Sequence, residues 1–207
     1  GNCEAACPPV ANAISYKHNA KELLSVLPEC IESGAESIEL HAGVPDDEST
    51  LKEWKVVSDS VPNGMISMCL DRKHLSNDSL IDRIKAAHEI ADDRLIIQAD
   101  GVPMSGGTDD YNTTLQAVSI ADTINKQLKE KNPGFKKLPI LISGGTNTFT
   151  GTLARQFGVS FNGITIGTHA RKVISSFQAK PSSINNDNLK QAILAARQLI
   201  EFNLFGK

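Results

Sequence analysis

The sequence has few aromatic residues and a nearly even balance of charge. Phe, Trp and Tyr make up 5% of the 207 residues, and Trp54 is the single tryptophan. Proteins that bind single-stranded nucleic acids stack bases on aromatic side chains, so this composition argues against that class. The formal net charge is -3, from 21 basic and 24 acidic side chains interspersed along the chain. The sequence therefore predicts no general attraction to nucleic acid or to an anionic membrane surface.

Long apolar runs, signal patterns and interdomain linkers are also missing. No apolar stretch approaches the roughly 18–20 residues that a membrane-spanning helix needs. The first residues lack the basic-then-apolar pattern of a secretory signal, so we expect a cytoplasmic protein. No segment is rich enough in Gly, Ser or Pro to separate two folded domains. We therefore expect residues 19–207 to form one domain.

Cysteine is scarce, with four residues in the whole chain. This number does not indicate a disulfide framework in a chain of this size. Cys30 and Cys69 lie in periodic or apolar segments, where we expect small buried hydrophobic residues. Cys3 and Cys7, in the string CEAACP, match the end of the ferredoxin pattern C-x2-C-x2-C-x3-C-P, whose first two cysteines are absent. This segment alone cannot complete a [4Fe–4S] cluster, and a chance pair of cysteines is the alternative.

Short apolar runs alternate with amphipathic stretches along the chain. The runs lie at residues 37–41, 65–70, 95–99, 139–143 and 163–167. Such runs are typical of strands that are covered on both faces in a parallel sheet. Their spacing is that of βα units with short connecting loops. The sequence therefore predicts an α/β fold of parallel βα units with about five strands.

Helical periodicity separates these runs. Apolar residues three and four apart predict helices over about 20–33, from Asn77 or Asp78 to 91, over 113–131 and over 188–203. A complete eight-stranded barrel usually takes about 250 residues. Five strands therefore leave two alternatives, an open doubly wound sheet or a partial TIM-type (βα) barrel. Either would expose sheet edges, which a homodimer or a preceding domain could cover.

Polar and glycine-rich residues follow the strands at the end where parallel α/β folds bind ligands. The last two of these segments resemble the pair of phosphate-binding loops found in many barrels. Their glycines would let the backbone approach an oxyanion, and helix N–H groups would face it. The alternative is that the glycines only permit tight turns. The residues predicted to bind a small anionic, phosphate-bearing ligand are Ser143, Gly144, Gly145, Thr146, Asn147, Gly167, Thr168, His169 and Arg171.

Other strand ends carry groups that could act on a ligand or contact it. Asp71 and Asp100 close neighbouring strands and are candidates for acid–base chemistry, although aspartates also cap loops without any such role. His41 is either a ligand contact or an ordinary histidine at the rim. The loop over residues 100–110 is a candidate lid that would contact the ligand through Ser105, or else an ordinary exposed loop. No set of His, Cys, Asp and Glu has the spacing of a zinc site.

Two segments together resemble the C-terminal domain of the light-dependent period protein (LdpA) family. They are residues 98–106, QADGVPMSG, and residues 142–147, ISGGTN, the latter followed by IGTHAR at 166–171. Glu39-Leu40-His41, a few residues after Gly34-Ala35, fits the start of that domain. The resemblance covers roughly residues 35–175.

The resemblance implies a redox-sensing role. In that family ferredoxin-type iron–sulfur segments precede this domain, and cyanobacterial members are associated with sensing cellular redox state for the circadian clock. Residues 1–18, with Cys3 and Cys7 as metal ligands, would then be the tail of such a segment, with the [4Fe–4S] cluster completed in a longer protein. The missing barrel strands would precede it.

Three functions stay open at this point. The first is the ligand-binding domain of an iron–sulfur redox-sensing or electron-transfer protein. The second is a barrel enzyme fragment that acts on a phosphorylated or flavin-like ligand through Asp100 or Asp71. The third is a purely structural interaction domain. The first two share the anion site and differ in whether a titratable group acts on the bound molecule.

Overall fold

A computed structural model describes residue 13 and residues 20–102, 111–175, 177 and 186–206. The chain divides into two compact units, Gly1–Ala35 and Glu36–Lys207. The first contains helix α1 (Ala20–Glu32), and the turn after it includes Gly34, where φ is +100°. Cys69 is buried, as expected, but Cys30 is exposed, because the buried side of α1 at Leu27 does not extend to it.

The second unit is built on five parallel strands. They are β1 (Ile38–His41), β2 (Ile66–Leu70), β3 (Leu95–Asp100), β4 (Ile140–Ser143) and β5 (Gly163–Ile164). The strands lie side by side in chain order, from β1 to β5. A doubly wound sheet reverses its strand order at a switch point, and this order has no reversal. The predicted α/β class and five strands are therefore confirmed, and the open sheet is consistent with part of a βα barrel.

Helices follow the strands as the predicted rhythm requires. In the second unit they are α2 (Asp47–Ser60), α3 (Asn77–Ala91), α4 (Tyr111–Ile124), α5 (Thr150–Gln156), α6 (Thr168–Ser175) and α7 (Asn186–Phe205). The α4 helix continues as one π-helical turn at Asn125–Lys129, and 3-10 turns lie at Asp92–Arg94 and Pro133–Phe135. Sequence periodicity missed α2, since two of its four buried residues are the polar Thr50 and Ser58.

The start of α3 differs in detail from the prediction. The cap is Ser76 rather than Asn77 or Asp78, and its hydroxyl accepts a hydrogen bond from the Ser79 N–H at 3.1 Å. A serine in extended backbone satisfies one of the N–H groups that the first turn leaves without a helical partner. The predicted helix is thus confirmed, and its capping residue lies one or two positions earlier than predicted.

The two faces of the sheet differ in polarity because side chains alternate along each strand. One face is apolar and buried, with Ile66, Met68, Leu95, Ile97 and Ile140 among its members. Helices α2, α3 and α4 pack against the strands on this apolar face. The other face carries the polar side chains of Glu39, His41, Ser67, Gln98 and Asp100. The polar face therefore points away from the main hydrophobic core.

Within the ranges that the structure describes, every helix is too short or too polar to cross a bilayer.

Candidate functional site

The polar face of the sheet opens at its carboxyl edge into a cavity of about 340 Å³. The ends of β1, β3 and β4 form its floor, and the segment from β5 into α6 forms its wall. Nine of the residues predicted from sequence line it: His41, Asp100, Ser143, Gly144, Thr146, Gly167, Thr168, His169 and Arg171. The fold therefore brings the two predicted loops, which follow β4 and β5, close to the carboxyl end of the edge strand β1.

Four other lining residues were not predicted: Glu39, Gln98, Thr165 and Ile166. Glu39 and Gln98 lie inside strands rather than after them, so the pattern of polar residues that follow strands does not include them. The signal was present, since a polar Gln98 interrupts an apolar strand. Glu39 also stands two residues before His41, which places both side chains on the same face.

The loop after β4 has a demanding backbone conformation. Gly144 and Gly145 have φ values of +66° and +67°, in the left-handed region that favours glycine. A Cβ at Gly144 would also collide with the Asp100 carboxyl group and with the Gly101 backbone. The turn itself therefore explains these two glycines, which agrees with the alternative that the glycines only permit tight turns.

Gly167 is different, because nothing in the fold requires a glycine there. It has no left-handed φ, and an added Cβ would meet only the Arg171 guanidinium, at 3.8 Å. Its missing side chain leaves the backbone open at the cavity wall, where α6 begins. The N–H groups of a first helical turn have no helical acceptor and favour an anion.

Side-chain donors surround this helix start. Arg171 donates to the Thr168 hydroxyl at 3.1 Å, which holds the guanidinium over the first turn of α6. His169 is buried, and its Nε2 lies 3.1 Å from the Thr148 hydroxyl. Thr146 donates to the Thr165 carbonyl at 2.6 Å and so ties the two predicted loops together. This side of the cavity, defined by Gly167, Thr168 and Arg171, is referred to below as the donor end.

Gly145 and Asn147 are buried and do not line the cavity. Asn147 is part of the scaffold under the loop. Its side chain accepts from the Phe149 N–H at 2.9 Å, and its N–H donates to the Thr150 hydroxyl at 2.8 Å. Its carbonyl accepts from the Asn203 amide at 3.2 Å, which connects the loop to α7.

The opposite side of the cavity is acidic. Gln98 is buried and donates from its amide both to Glu39 Oε2 and to the Ser67 hydroxyl. Glu39 Oε1 lies 2.8 Å from His41 Nε2. Behind His41, the fully buried Arg83 donates to the carbonyls of Ala42 and Val44 and fixes the end of β1.

Asp100 is the most deeply buried acid of the cavity, with 1% of its surface exposed. Burial raises the pKa of Asp100, and neighbouring hydrogen-bond donors, the Cys69 thiol and the Ser143 hydroxyl, partly oppose this. Burial, followed by the negative charges of Asp100 and Glu39, also strongly raises the pKa of the Cys69 thiol. Asp100 Oδ1 has no hydrogen-bond partner within the described parts of the chain.

Asp71 lies outside the cavity lining. It is half-buried, accepts a hydrogen bond from the Lys73 N–H at 2.7 Å and packs against Gly43, where a Cβ would overlap its carboxyl group. This is the loop-capping role that the sequence left open as an alternative. Its negative charge still contributes, as a minor cause, to the raised pKa of Asp100.

Three predicted residues, Cys3, Cys7 and Ser105, lie outside the described residues. A [4Fe–4S] cluster needs four thiolates, and the described residues contain two cysteines, Cys30 in the first unit and Cys69 in the second. The described part of the chain therefore does not fit that cluster.

Comparison with known proteins identifies a family. Residues 30–202 match the family model described as the Light dependent period A C-terminal domain. No curated protein matches the chain.

Proposed function

Because the chain belongs to the Light dependent period A C-terminal domain family, we propose that it is a ligand-binding domain of an iron–sulfur redox-sensing or electron-transfer protein. It takes a phosphate-bearing small molecule at the donor end of its cavity. The family resemblance and the Cys3–Cys7 spacing are what support the redox role and the cluster. Any cluster draws on cysteines beyond those of the described residues, and a cytoplasmic location likewise stays a prediction.

Gly167 is the observation that carries the ligand-binding proposal. The fold does not need a glycine at this position, yet its backbone faces the cavity directly before a helix start. An anion there would approach the first N–H groups of α6 without a side chain in the way. Arg171, held by Thr168, adds a positively charged donor beside the same spot.

Isothermal titration calorimetry with inorganic phosphate and with pyrophosphate, at fixed ionic strength, tests this proposal. Arg171→Met should weaken binding about tenfold, since a hydrogen bond to a charged group is worth roughly 1.5–3 kcal/mol and this one is exposed. Arg197→Met is the matched control, because it removes an exposed arginine whose partner is Glu201. Equal effects of the two substitutions, or no binding at all, would contradict the proposal.

A second candidate function is acid–base catalysis on the bound molecule, and Asp100 favours it. A buried carboxyl group with a raised pKa at a cavity floor is a common arrangement of catalytic acids and bases. If the domain is an enzyme, Asp100→Asn abolishes conversion of a captured phosphorylated ligand, measured by mass spectrometry, while phosphate binding persists. If the ligand is recovered unchanged from the natural chain, the binding function stands alone.

A further inference from the structure

Three side chains of metal-binding type meet at the acidic end of the cavity. The ligand atoms of Glu39, His41 and Cys69 all lie within 4.8 Å of one another. They come from adjacent strands, since His41 of β1 pairs with Cys69 of β2. Linear spacing could not reveal the group, because 27 residues lie between the histidine and the cysteine and only strand pairing brings them together.

We propose that Glu39, His41 and Cys69 form a binding site for one Zn²⁺ ion. Their carboxylate, imidazole and thiolate are the three donor types that Zn²⁺ takes in proteins. The mixture of nitrogen and sulfur donors disfavours Mg²⁺ and Ca²⁺, which prefer oxygen alone. The site is separate from the donor end and does not depend on phosphate binding there.

A buried carboxyl group next to the thiol also favours a cation at this place. The carboxyl group of Asp100 lies beside the Cys69 thiol, and the residue is 1% exposed. A cation bound at the thiol would offset the negative charge of this carboxyl group, and a water molecule would be the fourth ligand.

The surroundings already hold one ligand in place. Gln98 fixes Glu39 Oε2 and is itself anchored on Ser67, which leaves Glu39 Oε1 directed at His41 Nε2. Outer contacts of this kind orient metal ligands and increase metal affinity. The 2.8 Å contact between His41 and Glu39 would be replaced by bonds from both atoms to the ion. The exposed His41 gives the ion a route from solvent.

The test uses the full chain with the substitutions Cys3→Ser, Cys7→Ser and Cys30→Ser, which make Cys69 its single cysteine. We expect one equivalent of Zn²⁺ to bind, and Co²⁺ in its place to give a thiolate-to-cobalt charge-transfer band. Cys69→Ser should abolish that band. His41→Gln should lower Zn²⁺ affinity at least about tenfold, the lower limit seen when even a supporting side chain is removed.

His88→Gln is the matched control. His88 belongs to the other donor group of the described residues, His88, Asp92 and Asp93, which contains neither a thiol nor a buried member. This substitution should leave Zn²⁺ affinity unchanged. The proposal is overturned if the single-cysteine chain, folded by circular dichroism, gives no charge-transfer band with Co²⁺. It is equally overturned if His88→Gln rather than His41→Gln weakens binding. Neither result bears on the phosphate titrations.

Discussion

Gly144 and Gly167 lie on the same cavity, but the fold constrains them differently. Gly144 combines a φ of +66° with a close approach to Asp100 and Gly101, so a larger residue is strained there whatever the ligand does. Gly167 has ordinary backbone geometry and open space around its Cα. A glycine in a turn is therefore a poor indicator of ligand binding until the space around it is known.

The two glycines lead to a prediction about stability. Gly144→Ala should lower the free energy of unfolding by about 1–3 kcal/mol, the cost of holding a residue with a side chain in a disfavoured backbone region. Gly167→Ala should change it by no more than about 0.5 kcal/mol, as an ordinary surface substitution does. Urea denaturation measures both. Equal destabilisation would mean that Gly167 is also structural, which would weaken the case for a phosphate site.

At the level of elements, the packing of α7 against α5 supports the loop that forms the cavity. Asn203 is buried and accepts from the Gly151 N–H at 2.9 Å, while its amide donates to the carbonyls of Asn147 and Leu199. A Cβ at Gly151 would collide with the Asn203 backbone, so the two helices meet where one of them has no side chain. Arg155 adds a bond to the Asn203 carbonyl at 2.8 Å.

We expect Gly151→Ala to separate α5 from α7 and to lower stability by about 1–3 kcal/mol, as overpacking of a well-filled contact does. Gly134→Ala is the control, because its Cβ would make only an ordinary contact with Asn132 at 3.5 Å. Urea denaturation gives the stability, and hydrogen exchange should show faster exchange in α7 of the Gly151 variant alone. Unchanged protection of α7 would contradict the close approach seen here.

The start of α2 leads to a prediction about pH. Hydrogen bonds from the Ser49 side chain and N–H lower the pKa of Asp46, the residue that caps this helix. A lowered pKa in the folded state gives stability that is present above the ordinary aspartate pKa of 3.8 and is lost as pH falls through the lower pKa of the folded state. Asp46→Ala should therefore destabilise the protein at neutral pH and progressively less in acid.

Denaturation at several values between about pH 3 and pH 7 measures this dependence. Asp46→Asn is the control, since asparagine caps a helix without a charge. The stability difference between the Asn and Ala variants should not change with pH. A pH-independent difference between the natural chain and Asp46→Ala would refute the assigned role of the carboxylate.

On the scale of the whole molecule, the iron–sulfur prediction involves Cys3 and Cys7, which lie outside the described residues. Protein isolated without oxygen from its native cells should contain iron and acid-labile sulfide and should lose its colour on reduction. Cys7→Ser should remove iron, whereas Cys69→Ser should not. A colourless, iron-free, folded protein would refute the redox-sensing proposal and leave the cysteine pair accidental.

The open sheet has edges that a partner could cover. Apolar side chains of α7, including Ile193, Ile200 and Phe205, are more than half exposed in the chain. The homodimer or preceding domain expected to cover the sheet edges stays a prediction.

Much of the fold could be predicted because its signals are local. Apolar runs and three-and-four spacing located the five strands, α1, α3, α4 and α7, since burial selects apolar residues at regular intervals. Helix α2 was missed because Thr50 and Ser58 occupy its buried face, where their hydroxyls bond to carbonyls of Asp46 and Ile90. The sequence pattern of α2 therefore did not show which face of the helix is buried.

The sequence by itself determined the α/β class, the number of strands, and the polar residues that follow them, because each depends on neighbours within a few positions. Only the tertiary structure decided that Gly144 is required by its turn while Gly167 is not. It alone also brought Glu39 and His41 together with Cys69, since parallel strand pairing sets those distances across a gap of about 30 residues. Register and burial are properties of contacts between distant segments, and no local pattern specifies them.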